Sequence, residues 1–375
     1  MTEFIRPGAV LGIVGGGILA FRLVEVAKQL GCNTVVLAPD EGDIALDAAD
    51  MALVGAAHDP AALARLAEVA TVITYMDENV DAAALATLTT ARQLPSGVDI
   101  LSVTQDRYLE KVFLDDLNMN ILPYAQVVTP SDITKAIESV GFPAILKPIQ
   151  KGVGVGSQLL LRQPADVERA ANLLAARPYV LEAWLDHPTE YAVTVAKSDT
   201  TIRVMPVVQT VFAAHALQAS VVPASGGRAV IEEIARVARV IAEHLDYTGV
   251  FGIEFFMTAS LTLYVKRVFP GPQLNGHVLL PTTGTSTYEM HLRALLGWPL
   301  PNVTLVRPGV LLPLRADDRA AALTQLQIKP DWQFQFYPAN APLIGQVTIF
   351  GAAASVRQAL AATDHFHLEM TETLN

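Results

Sequence analysis

The segment EFFMTASLTLYVKRVFPGP, residues 254–272, predicts a strand, a short turn and a second strand. Glu254 is the carboxylate of the first strand; Lys266 and Arg267 stand side by side on the second. A carboxylate in a nucleotide site would hold a metal ion. Two cations opposite it would repel that ion and attract phosphate or carboxylate directly. A unit charge pair at about 4 Å is worth roughly 4 kcal/mol at an effective dielectric of 20, so turning attraction into repulsion shifts a divalent ion's balance by on the order of 10 kcal/mol. Neighbours on a strand face opposite sides, which offers the two side chains a way to swing aside.

A second set of chemical residues lies in ILKPIQKGVGVGSQ, residues 145–158. Lys147 ends an apolar strand, and Gly152, Gly154, Gly156 and Ser157 follow in a loop. Backbone N–H groups of such a loop can wrap phosphate oxygens, with the lysine as a point charge. It is not a Walker loop, because no Lys-Ser or Lys-Thr follows the last glycine. About thirty residues on, VLEAWL offers an acceptor at Glu182 plus backbone groups suited to an adenine amino group, and Glu190 suits ribose hydroxyls. On spacing alone, a solvated strand end and a plain hairpin turn explain Lys147 and its loop equally well.

A third set is Gly15, Gly17 and Ala20, which follow a strand and open a helix, with Asp40 at the end of the next strand. This matches the dinucleotide fingerprint and, taken alone, suggests a nicotinamide-dependent oxidoreductase (NAD as cofactor). The alternative is the tight strand-to-helix turn of any doubly wound domain.

The elements that must position these groups are α/β in class. Residues 9–104 alternate strand and helix, which implies a parallel sheet covered on both faces. Asp59 caps a helix with Pro60 at its first position. Residues 104–118 predict a helix that opens a new module, 226–246 a long amphipathic helix, and 285–297 another. TEYAVTVAK and TIRVMPVVQTVFA predict neighbouring antiparallel strands, and 303–352 reads as short strands and turns before a last helix. The expected organisation is a Rossmann-like domain over 1–104, a central domain over 105–298 with a small lid at about 112–185, and a small β-rich domain over 299–375.

Composition narrows the function. The chain has 375 residues, 51% hydrophobic and 17% charged, which allows a large core. A net charge of −11 argues against a nucleic-acid partner but not against a local basic pocket. Residues 9–20 are apolar but too short for a bilayer, and no signal-peptide pattern precedes them. A lone Cys32 forms no internal disulfide. A cytoplasmic protein without membrane attachment is expected. His215, His244 and His291 are too widely spaced for a metal, and Asp40, Glu41, Asp43, Asp47 and Asp50 read as a solvated loop and helix face.

The order of QDRYLEK, ILKP…GVGVGSQ, VLEAWL…E, GIEFF and TSTYEMHLRALLG behind a Rossmann-like domain resembles the ATP-grasp superfamily. Within it the chain is most similar to the 5-(carboxyamino)imidazole ribonucleotide synthase family of purine biosynthesis. GGG at 15–17, TYMDENV at 74–80, QDR at 105–107, NGH at 275–277 and HLRALLGWPL at 291–300 carry that similarity. The resemblance implies an ATP-dependent carbon–nitrogen ligase in which ATP and bicarbonate form carboxyphosphate and aminoimidazole ribonucleotide captures the carboxyl group. It implies that Arg107 and Lys147 contact ATP phosphates under the loop 152–158. Glu182 and the backbone through Leu185 would hold adenine, Glu190 the ribose, and Glu254 one magnesium ion. Lys147, Glu254 and Arg267 are the expected catalytic positions. Gly15, Gly16, Gly17, Tyr75, Glu78 and Asn79 are the expected wall for the small-molecule acceptor. A homodimer is implied by the family alone.

The chain departs from the pattern at chemical positions. The family's second metal strand reads Asn-Glu where this chain has Lys266-Arg267, so the second magnesium ligand is lost. A family histidine is Phe212, the Gln-Leu-Gly after GGG is Ile18-Leu19-Ala20, and the phosphate-gripping basic turn is ANAPLIGQ, 339–346, without a cation. Gly154 and Gly156 stand where the family loop carries an aspartate and a basic residue. Two accounts follow: a ligase for another, less phosphorylated acceptor, whose Lys266 and Arg267 bind phosphate or carboxylate directly, or a non-catalytic nucleotide-binding paralogue.

Overall fold

The computed structural model describes residues 3–152, 157–213 and 216–363. The first segment runs β1 (Val10–Val14), α1 (Gly17–Gln29), β2 (Asn33–Ala38), α2 (Ile44–Ala48), β3 (Met51–Val54), α3 (Pro60–Val69), β4 (Val72–Tyr75), α4 (Ala82–Leu88) and α5 (Asp99–Thr104). Its four strands pair in parallel in the order β3-β2-β1-β4. Strands β1 and β4 are near-continuous apolar runs, as strands covered on both faces must be. The Asp59 carboxylate accepts the Ala61 N–H, and Pro60 occupies the first position of α3.

The 104–118 segment is not one helix. Helix α6 spans Arg107–Asp116, because the Asp106 carboxylate accepts the Tyr108 and Leu109 N–H groups and sets the start there. Next come β5 (Tyr124–Val127), α7 (Pro130–Val140), β6 (Ala144–Pro148), β7 (Leu159–Leu161), α8 (Val167–Leu174) and β8 (Tyr179–Ala183). They form a small antiparallel sheet, ordered β5-β8-β6-β7, over which α7 and α8 close a separate apolar core.

The rest of the chain builds one antiparallel sheet. Its elements are β9 (Thr189–Lys197), β10 (Ile202–Val204), β11 (Val208–Ala213), β12 (Ala216–Val222), α9 (Gly227–His244), β13 (Gly249–Met257), β14 (Leu263–Pro270), α10 (Leu279–Thr283), α11 (Thr287–Leu295), β15 (Gly309–Leu314), α12 (Arg319–Ile328), β16 (Gln333–Phe336), β17 (Gly345–Phe350) and α13 (Ala353–Ala361). The order is β14-β13-β9-β11-β12-β15-β17-β16, with β10 beside β9. Strand β12 pairs with β15, so the C-terminal strands continue the central sheet. Helix α12 is absent from the sequence reading of 303–352. Its core-facing residues are small or polar, chiefly Ala321, Ala322 and Gln325, which leaves a weak apolar stripe. Among the described residues no helix is long and apolar enough to cross a membrane.

Helix α11 locks the first segment onto the central sheet. Tyr288, Leu292 and Leu295 pack with Leu23 and Ala27 of α1. His291 Nδ1 accepts the Val250 N–H at 2.9 Å, and its Nε2 lies 2.8 Å from Thr74 Oγ1. A backbone N–H can only donate, so Nδ1 carries no proton and the proton sits on Nε2. His277 is also buried, between Tyr288 and Gln346. Burial pushes the His291 pKa down to about 3 and that of His277 to about 4. Both rings are neutral in the fold but protonate near pH 6.5, roughly, when unfolded. The unfolded chain then binds more protons, so stability falls as pH drops below about 6.5. The expected loss is roughly 2–3 kcal/mol per ring by about pH 4.5. Urea midpoints measured from neutral to acid pH check this; a midpoint that stays flat until the carboxylates titrate would contradict it.

Candidate nucleotide-binding site

A cleft of about 830 Å³ opens between the small sheet and the central sheet. That volume suits a nucleotide-sized ligand. Seven cations line it (Arg107, Lys111, Lys147, Lys151, Arg162, Lys266 and Arg267) against five acids (Glu78, Glu110, Glu182, Asp186 and Glu190). In a chain of net charge −11 this is a local inversion of sign.

Most of these cations are fixed by named partners. Arg107, at the start of α6, donates from Nη1 to Pro148 O at 2.9 Å and to Gln150 O at 3.2 Å, which ties α6 to the end of β6. Lys147 on β6 donates to Glu182 Oε2 on β8 at 2.6 Å, and Lys111 of α6 takes Glu182 Oε1. The Glu182 carboxylate, expected to meet an adenine amino group, is therefore occupied by two ammonium groups. Burial alone would raise its pKa; Lys147 and Lys111 outweigh that and hold it at about 2. Trp184 and Leu185 line the cleft beyond it, with the Trp184 indole N–H donating to Asp186 Oδ1 at 2.9 Å. Gly152, at φ 82°, begins the glycine loop and also lines the cleft. Ser157 stands at the far end of that loop; Gly154 and Gly156 lie outside the described residues, as does His215.

The β13–β14 hairpin brings both cations of residues 254–272 to one carboxylate. Register between β13 and β14 shifts at Glu254: Glu254 pairs with Arg267, whereas Phe255 pairs with Val265. Lys266 is the extra residue of this β-bulge, and the bulge breaks the alternation that would send neighbours to opposite faces. Both cations therefore reach the same carboxylate. Arg267 Nε and Nη2 each lie 2.8 Å from Glu254, and Lys266 Nζ lies 3.0 Å from it. Lys266 Nζ also donates to Glu190 Oε2 at 2.8 Å, so one oxygen of this cleft-lining carboxylate is engaged by an ammonium group. Glu254 is 2% exposed, and Arg267 and Lys266 outweigh its burial to hold the carboxyl at about 2.

These residues do not fit a magnesium ion. Magnesium takes about six oxygen ligands at roughly 2.0–2.1 Å. Both Glu254 oxygens are already paired with cations, and among the described residues no group of three or more acids, histidines or cysteines could hold a metal.

Three buried or half-buried charges escaped the sequence reading. Glu110 accepts the Val268 N–H at 2.6 Å and pairs with Lys151 at 2.9 Å; Lys111 shares Glu182. A signal was available. Arg107, Glu110 and Lys111 sit at i, i+3 and i+4 of α6 and so share one helical face, which here points into the cleft.

The expected acceptor wall is differently built. Glu78 lines the cleft, and Asn79 Oδ1 would lie 3.7 Å from a Cβ on Gly152. Tyr75 is not with them: it is 1% exposed, and its hydroxyl donates to Gly97 O at 3.0 Å. At Gly15–Gly17 the first turn of α1 is closed from within. Both Asp43 oxygens accept the Gly17 N–H, at 3.0 and 2.8 Å. A Cβ on Gly16 would fall 2.0 Å from Asp43 Oδ2, so any larger residue would push that carboxylate away from the Gly17 N–H. Asp43, read as part of a solvated acidic run, thus fills the helix N-terminus a pyrophosphate would need. Opposite it, Ile18, Ile44 and Tyr337 pack with Ala341 and Leu343 of the turn 339–346.

Comparison with known proteins places this geometry. Residues 9–105 match the ribonucleotide synthetase preATP-grasp domain and residues 112–288 the ATP-grasp domain. An N5-carboxyaminoimidazole ribonucleotide synthase of Bacillus subtilis is 32% identical over 317 residues, 84% of this chain and 83% of the relative. The chain belongs to the N5-carboxyaminoimidazole ribonucleotide synthase family. Another member, from Staphylococcus saprophyticus, is 30% identical over 90% of both chains. The crystal structure of an ADP complex of N5-carboxyaminoimidazole ribonucleotide synthetase superposes with a TM-score of 0.88 at 30% identity, over 96% of this chain and 97% of that one. The Staphylococcus aureus synthetase with ADP gives 0.89 at 27% identity, over 96% and 98%. The α/β architecture, a parallel N-terminal sheet followed by antiparallel ATP-grasp sheets, is that of the N5-carboxyaminoimidazole ribonucleotide synthase family.

Proposed function

We propose that this chain binds ATP in the cleft between the two sheets and couples its cleavage to carbon–nitrogen ligation, with bicarbonate and aminoimidazole ribonucleotide as co-substrates. The observation that carries the reading is the ring of cations around a nucleotide-sized cleft in an otherwise acidic family member. ATP brings about four negative charges, and phosphoryl transfer is catalysed largely by positioning and neutralising them. Arg107, at the start of α6 and tied to the end of β6, and Lys147, on β6, both line the cleft, where they would take phosphate oxygens. Trp184 and the backbone near Leu185 form the wall for the base. A cytoplasmic location belongs to the same reading, supported by the single buried cysteine. The homodimer implied by the family is tested by light scattering.

A second reading has its own support. The apolar packing of Ile18 and Ile44 against Ala341 and Leu343, with no cation in 339–346, leaves that turn without a charged grip for a ribonucleotide phosphate. It favours an acceptor without phosphate, or nucleotide binding without turnover. The deciding measurement is ADP release by the purified chain. Release that requires both bicarbonate and aminoimidazole ribonucleotide supports the first reading. Nucleotide binding with no such release supports the second.

A further inference from the structure

We propose that Lys266 and Arg267 stand in for a divalent cation, so that this family member binds its adenine nucleotide without a metal ion. The inference rests on the nucleotide reading above and deepens it. The space between buried Glu254 and Glu190, which lines the nucleotide-sized cleft, is where a cation belongs. Here the Lys266 ammonium holds it, 2.8 Å from Glu190 and 3.0 Å from Glu254.

The surroundings select an ammonium over a metal. Lys266 Nζ lies 5.1 Å from the centre of the Phe212 ring and 4.9 Å from that of Phe256. Aromatic faces attract an ammonium through the ring quadrupole. They offer no oxygen to a hard cation, which must be ligated by oxygens. A metal could enter only if Glu254 released a bidentate guanidinium that cannot deprotonate.

The charges also match. Lys266 and Arg267 together carry the formal charge of one divalent ion and neutralise Glu190 and Glu254. Arg267 keeps its reach into the cleft: its side chain is 42% exposed, and two of its roughly five N–H donors serve Glu254. The remaining donors are available to a phosphate. Charge fixed on the protein then serves the phosphates in place of charge brought in with the nucleotide.

The test is calorimetric titration of the full chain with ATP, once in excess EDTA and once in excess magnesium. Dissociation constants within about threefold of each other are expected, since roughly 1.4 kcal/mol marks a tenfold difference. Binding at least tenfold tighter with magnesium overturns the inference while leaving the nucleotide reading intact. No ATP binding in either condition overturns the nucleotide reading itself and the inference with it. Lys266→Met keeps the apolar stem and removes the ammonium. It is expected to weaken binding in EDTA at least tenfold, and unchanged affinity in a folded variant would overturn the role given to Lys266. If that variant does not fold, the paired titrations of the unaltered chain still decide.

Discussion

Glu182→Ala is expected to destabilise the protein by about 3–5 kcal/mol, the usual cost of removing one partner from a buried ion pair. The reason lies in where its carboxylate sits. Glu182 is 4% exposed on β8 and stands between Lys111 of α6 and Lys147 of β6. Without it two ammonium groups face each other with no counter-charge, and the Lys111 side chain, 7% exposed, has little access to water. Glu182→Gln should fall between, because it keeps acceptors but loses charge. Urea unfolding at neutral pH measures both. A loss below about 1 kcal/mol for the alanine variant would place the pair among weakly coupled surface bridges and contradict the geometry. The pH dependence has a definite sign. Glu182 and Glu254 are held at about 2 in the fold, so the stability they contribute is present above the ordinary carboxyl range, about pH 4.5, and is lost as pH falls towards 2.

Lys147→Met is expected to spare the fold and damage nucleotide binding. Lys147 is the more open of the two lysines on Glu182, with its side chain 22% exposed and lining the cleft. When it is lost, Glu182 keeps Lys111, so the stability cost should be smaller than for Glu182→Ala. The ligand, by contrast, loses a cation near its phosphates. At an effective dielectric of 20 and about 4 Å that is worth up to roughly 4 kcal/mol, or two to three orders of magnitude in the dissociation constant. Titration of the variant with ATP reads this directly. Affinity within about threefold of the unaltered chain would mean that the phosphates lie elsewhere.

The pair of variants separates two roles that share one carboxylate. In the proposed reading Glu182 would organise the site and the fold together, whereas Lys147 would serve the ligand. A structure in which α6, β6 and β8 meet at one acid makes that division possible, because each cation arrives from a different element.

Much of this molecule is legible in its residues. The apolar runs of β1 and β4, the Asp59–Pro60 start of α3 and the long stripe of α9 follow from local spacing. The glycine loop after Lys147 and the ordered family segments point to an ATP-grasp chain, as the domain matches show. Helix α12 escapes, because alanine and glutamine at its buried positions give no apolar period. The start of α6 is misplaced by three residues, because the cap at Asp106 is decided by the hydrogen bonds it makes.

By itself the sequence determined most of the order of elements, the family and the presence of cations where the resemblance implies metal ligands. Only the tertiary structure decided what those cations do. Strand alternation would part Lys266 from Arg267; a one-residue register shift against β13 turns both onto Glu254. Spacing offers Glu182 to adenine, but Lys111, 71 residues away, and Lys147, 35 residues away, converge on it. Asp43 closes the first turn of α1 across 26 residues. Periodicity along a chain is set by local backbone geometry, whereas a charge is neutralised by whichever partner the packing brings within hydrogen-bonding distance.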